Sequence, residues 1–160
     1  MANELEELEF KAKYIFDTSS ILSQKGTEPH RRTVYKKLWE NIDDLIKNKE
    51  IVTCSEIKDE IKDEEIKKWL EINQCIVLDI DDVVQKNVVK VVTTAPKLID
   101  FKQTKSSGDA FLIATAMEYN LIVVTEENRD SAKKIPQVCK QLNVRCTNLL
   151  GLCEMEKWEF

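Results

Sequence analysis

Five short apolar runs divide the chain, at residues 13–17, 50–54, 75–80, 121–125 and 144–147, and helical periodicity fills the stretches between them. The runs are rich in Ile, Val, Tyr and Phe, so each reads as a strand buried on both faces. Over 33–49, Val34, Leu38, Ile42, Leu45 and Ile46 recur at helical spacing, and Trp39 widens the stripe. Thr18, Ser19 and Ser20 are the natural caps for a turn of helix after the first strand. Thr53-Cys54-Ser55-Glu56 fits a capping box that opens a helix through Ile57 and Ile61. Ile66, Trp69 and Leu70 mark the next helix, and Val84, Val88, Val91 and Val92 share a face of another. Gly108-Asp109 opens a helix that Asn120 stops, and shorter helices follow Ile135 and the final strand. Strands alternating with helices call for an α/β layer structure with a mainly parallel sheet. With no repeat or linker, the 160 residues are expected to form one domain, residues 1–12 being an N-terminal extension.

Composition closes off other classes. Lys and Arg number 24 against 29 Asp and Glu, a net charge of −5, so a polyanion must meet a local patch rather than bulk charge. A single histidine, His30, argues against Ser-His-Asp and Cys-His enzymes and against histidine-rich metal sites. The five cysteines, Cys54, Cys75, Cys139, Cys146 and Cys153, form no CxxC pair and read as reduced core thiols. No apolar run is long enough to span a bilayer, and the acidic start lacks a signal-peptide pattern. A cytoplasmic protein is the expectation.

Acids recur where strands end. Asp17 follows the first run, Glu127 lies just past Thr125 at the end of the fourth, Glu60 follows a third strand on a helix, and Asp109 opens the helix leading into the fourth run. In a parallel sheet the carboxyl ends of strands share one edge, where ligands bind. Four carboxylates converging there would repel one another unless a cation offsets the charge. An all-oxygen set without histidine or thiolate suits Mg²⁺ or Mn²⁺. The same acids read equally well as solvated caps in a chain so rich in Asp and Glu.

Three stretches carry a family resemblance: Tyr14-Ile15-Phe16-Asp17-Thr18-Ser19-Ser20, Ser55-Glu56-Ile57-Lys58-Asp59-Glu60-Ile61, and Gly108-Asp109-Ala110-Phe111-Leu112-Ile113-Ala114 with Leu121-Ile122-Val123-Val124-Thr125-Glu126-Glu127. Together they resemble the PIN domain, a metal-dependent ribonuclease fold that serves as the toxin of bacterial toxin–antitoxin pairs. Lys134-Ile135-Pro136-Gln137-Val138-Cys139 and the ending Trp158-Glu159-Phe160 resemble a less characterised PIN-like subfamily. The resemblance implies a three-layer α/β/α sandwich and a Mg²⁺- or Mn²⁺-dependent endoribonuclease. Asp17, Glu60, Asp109 and Glu127 are the implied metal-binding and catalytic acids. Glu56 competes with Glu60, and Glu126 and Asp130 with Glu127. Thr18, Ser19 and Thr125 would support the carboxylates or a phosphate with their hydroxyls. RNA phosphates call for cations, for which Lys105, Arg129, Lys133, Lys134, Arg31 and Arg32 are the nearest in sequence; Tyr119 and Trp39 could stack on bases. An antitoxin partner and a homodimer are further implied; the 34–46 helix and its Trp39 edge read equally well as a dimer surface or as core packing.

Two other readings stand beside this one. Ile76-Val77-Leu78-Asp79-Ile80-Asp81-Asp82-Val83 resembles the opening motif of haloacid-dehalogenase aspartyl phosphatases, with Asp79 as nucleophile and Asp81 two residues on. A PIN-like fold can also serve as a catalytically inactive protein-interaction module, although here all four acid positions are filled.

Overall fold

The computed structural model describes residues 11–96, 108–131 and 134–160. The chain runs β1 (Tyr14–Phe16), α1 (Thr18–Leu22), α2 (Lys36–Lys47), β2 (Ile51–Cys54), α3 (Ser55–Glu60), α4 (Glu64–Ile72) and β3 (Ile76–Leu78). It continues through α5 (Asp82–Thr94), α6 (Gly108–Tyr119), β4 (Ile122–Val124), α7 (Ile135–Gln141), β5 (Cys146–Thr147) and α8 (Leu149–Glu156).

The strands form one parallel sheet in the order β3-β2-β1-β4-β5, with helices on both faces. Central strands read as unbroken apolar runs because both faces are covered: Ile15, Val52 and Val123 have no exposed surface. From β1 the chain winds outward through β2 to β3, then returns to place β4 on the other side of β1. That reversal opens a crevice at the carboxyl ends of β1 and β4, the position at which doubly wound sheets bind ligands.

α6 is apolar on every side. Ala110, Leu112, Ile113, Ala114 and Ala116 are all buried, and the small residues let neighbours close in. Asn87 of α5 adds a hydrogen bond from its amide nitrogen to the Ala114 carbonyl, 3.2 Å. A helix sheathed all round has little freedom to slide, so its first turn, with Asp109, is held firmly at the crevice. The chain leaves α6 through Asn120 in the left-handed conformation, as the stop signal suggests.

The expected elements are present, with local corrections. Asp17, rather than Thr18, Ser19 or Ser20, caps α1 by accepting from the Ser20 backbone N–H at 2.9 Å. The capping box at Thr53 does not form: α3 starts one residue later, capped at Cys54 without a side-chain bond. Thr53 lies inside β2 and its hydroxyl donates to the Phe16 carbonyl, 3.0 Å, a cross-strand partner stronger than the local one. Leu38, Trp39, Ile42 and Ile46 of α2 are buried in the molecule's own core, so along that stripe core packing rather than a dimer surface accounts for the 34–46 helix. Trp39 has no exposed surface and cannot stack on a base. All five cysteines are free thiols. Among the described residues no helix is long and apolar enough to cross a membrane.

Candidate functional site

Asp17 stands at the end of β1, almost fully buried at 1% exposure. The residues after it turn into α1 and wrap its carboxylate. Oδ1 lies 2.9 Å from the Ser20 backbone N–H and 2.6 Å from Ser20 Oγ. Ser19 Oγ is 2.8–2.9 Å from both carboxylate oxygens. Thr125 Oγ1, from the end of β4, donates to Oδ2 at 2.6 Å. Ser20 Oγ is also 2.7 Å from the Val124 carbonyl, which ties α1 to β4. Burial pushes the Asp17 pKa up, and these donors act against the shift.

Glu60, at the end of α3, accepts a 2.6 Å hydrogen bond from Thr18 Oγ1. Its carboxylate lies over Gly108 so closely that a Cβ there would collide with it. Asp109, next along α6, is pushed up to about 7: burial is the largest cause, followed by the negative charges of Glu127, Asp17 and Glu60. Glu127 is likewise raised, chiefly by burial, against the backbone N–H of Ile135, which donates to its Oε1 at 3.1 Å. Glu127 and Asp109 lie close enough that each influences the titration of the other.

Asp17, Glu60, Asp109 and Glu127 thus come from four segments to one rim of the sheet. The alternates lie otherwise. Glu126 accepts from the Leu149 backbone N–H at 2.7 Å and so caps α8, while its own N–H donates to Ser19 Oγ at 3.1 Å. Asp130 is exposed, and Glu56 sits in the first turn of α3, a turn before Glu60. Thr125 also accepts from the Glu127 N–H, 3.1 Å. Asp79 and Asp81 follow the edge strand β3, where Asp81 caps α5 by accepting from the Val84 N–H at 2.8 Å. Arg32 is committed to Asp43 through two contacts of 2.9 and 3.0 Å, and Tyr119 is packed against the core. Lys105 and Lys133 lie outside the described residues.

Two residues escaped sequence reasoning. Ser20 is legible as a helix-cap candidate and as the end of the first resembling stretch, but without a role at the site, where its hydroxyl and N–H hold Asp17. Gly108 was visible as a helix opener, yet its missing side chain makes room for Glu60; a glycine directly before an acid at a helix start is the signal.

Among the described residues no three His, Cys, Asp or Glu side chains stand together as a ready-made metal site. Oxygens of Asp17, Glu60 and Glu127 are engaged by protein donors instead. The donor set is nonetheless all oxygen, and its mutual repulsion on Asp109 is the kind that a hard divalent cation offsets.

Comparison with known proteins gives a consistent picture. The family model described as a domain of unknown function, DUF4411, matches residues 14–160. No curated protein matches the sequence. Among solved structures, the fold is similar to FitAcB from Neisseria gonorrhoeae, with TM-score 0.52 and 17% identity over 86% of this chain and 98% of that one. It is similar to VapBC2 from Rickettsia felis bound to a promoter DNA fragment, with TM-score 0.52 and 18% identity over 84% and 97%. PAE2754 from Pyrobaculum aerophilum matches with TM-score 0.52 and 12% identity over 91% and 89%. The PIN-like fold expected from the motifs is therefore the fold of this chain.

Proposed function

The chain belongs to the DUF4411 family, and on that footing we propose that it is a metal-dependent endoribonuclease acting as the toxin of a toxin–antitoxin pair. One observation carries the reading: four carboxylates from separate segments meet at the crevice between β1 and β4, and three of them raise the fourth. Such a gathering is costly to fold around unless it has work to do.

On this reading Asp17, Glu60 and Asp109 hold Mg²⁺ or Mn²⁺, with Glu127 completing the set. A cation bound there supplies an activated water and offsets charge on the phosphate oxygens. Asp17 is the fixed member, since Ser19, Ser20 and Thr125 grip both of its oxygens. Thr18 aims the Glu60 carboxylate by donating to one of its oxygens. Gly108 lets that carboxylate lie against the start of α6. Thr125 couples the two sides of the site, touching Asp17 through its hydroxyl and Glu127 through the N–H that it accepts. Glu127 is held at the start of α7, where it can orient the attacking water. The likeness to FitAcB and VapBC2 supports an antitoxin protein as partner, and two copies of the chain are the expected assembly.

The test is cleavage of an RNA mixture with Mn²⁺, Mg²⁺ or EDTA, comparing wild type with Asp17→Asn. Cleavage that needs the cation and disappears in the variant supports the reading. Chelator-insensitive behaviour identical in both proteins overturns it and leaves the interaction module in front.

A further inference from the structure

The acids of this site leave the phosphate side of the reaction unserved, and an acidic rim repels the substrate that it is meant to cut. Several described cations are engaged elsewhere or lie away from the crevice. Arg32 pairs with Asp43, and Lys25 pairs with Asp63 at 2.6 Å. Arg145 donates to the Asn120 carbonyl at 3.2 Å, at the opposite end of β4 from Thr125. Lys134 differs. It is exposed, makes no ion pair with any described residue, and stands as the capping residue of α7. The next residue, Ile135, donates its N–H to Glu127 Oε1 at 3.1 Å, so the chain at Lys134 is anchored against the fourth acid. Lys134's own N–H donates to the Ser131 carbonyl at 3.1 Å, and Pro136 in the first turn stiffens the same segment.

Resting on the nuclease reading above, we propose that Lys134 is the phosphate-binding cation of the site, positioned beside Glu127 and Asp109 to receive a backbone phosphate of the RNA strand. Its charge draws on both acids, lowering Asp109 and Glu127 against the other influences on them. A cation so placed has two opposite effects. It attracts the phosphate, and it partly offsets the acids that attract a divalent cation. Lysine suits the role because its ammonium acts as a point charge on a flexible stem and tolerates a phosphate at varied angles.

These opposite effects give a test that a merely structural residue would fail. The full-length protein is compared with Lys134→Gln and Lys134→Arg. Affinity for a fluorescein-labelled single-stranded RNA is measured by anisotropy in EDTA over a range of salt. Mn²⁺ affinity is measured separately by the paramagnetic resonance of free Mn²⁺. Expected for Lys134→Gln are RNA binding weakened several-fold, a salt slope shallower by about 1, and Mn²⁺ bound several-fold more tightly; Lys134→Arg restores RNA binding. Loss of RNA and Mn²⁺ affinity together in Lys134→Gln would mark a structural residue and overturn the assignment. So would an unchanged RNA affinity and salt slope. Wild-type protein that neither binds Mn²⁺ nor cleaves RNA in its presence overturns the nuclease reading itself, and the role of Lys134 with it.

Discussion

Gly108 is the residue at which two ordinary effects oppose each other. On helix propensity alone, Ala in place of Gly stabilises a helix by about 1 kcal/mol. Here the added Cβ would strike the Glu60 carboxylate, and overpacking of that kind costs about 1–3 kcal/mol. Gly108→Ala is therefore expected to lower the urea midpoint with an unchanged slope and to weaken Mn²⁺ binding, because Glu60 is displaced. A higher midpoint would mean that the carboxylate moves freely. Asp109 yields a second prediction. Its pKa lies at about 7 in the folded chain against an ordinary 3.8, so between those values the folded state holds a proton that the unfolded state has released. Stability from this residue is greatest below its ordinary pKa and is lost as pH rises through the folded one. Metal-free wild type should thus melt at a lower temperature at pH 8 than at pH 5.5, and Asp109→Asn should flatten that slope. A steeper loss in the variant would count against it.

At the scale of elements, helix starts carry much of the local order. Asp17, Asp63, Asp81 and Asn148 each cap a helix with a side-chain oxygen. Three of these four lie outside the acid cluster, which separates capping from chemistry. Asp81→Ala should cost about 1 kcal/mol in denaturant unfolding and leave cation-dependent cleavage intact. Cleavage abolished by that change alone would tie Asp81 to the chemistry and count against the four-acid site. Helix-boundary signals were legible in the sequence where no distant partner competed, as at the Asn120 stop. They misled at Thr53, because a strand residue found its hydrogen bond across the sheet, information that no local window contains. Trp39 was legible in part: its spacing marked a buried helical face, and packing shows that α4 and the 24–32 loop close over it. Arg32 lies 5.6 Å from the Trp39 ring, Trp69 meets it edge-on at 6.1 Å, and Trp39 Nε1 donates to the His30 carbonyl at 2.6 Å.

For the whole molecule, the expectation is linkage between cation and fold. A cation that binds only the folded state stabilises it by about 2.7 kcal/mol at a hundred times its dissociation constant. Melting of the chelated protein should therefore rise with added Mn²⁺, and the rise should vanish in Asp17→Asn; an equal rise in both would place the cation elsewhere. The sequence by itself determined the alternation of strands and helices, the parallel sheet and the identity of the acids at strand ends, because apolar periodicity and residue chemistry are local properties. Only the tertiary structure decided that β4 returns beside β1 rather than beyond β3, and hence that Asp17, Glu60, Asp109 and Glu127 share one rim while Asp79 and Asp81 stand at the edge. Strand order and side-chain engagement depend on contacts between residues far apart in the chain, 108 positions for Asp17 and Thr125 and 142 for Tyr14 and Glu156. Spacing along the chain carries no direct measure of such closures.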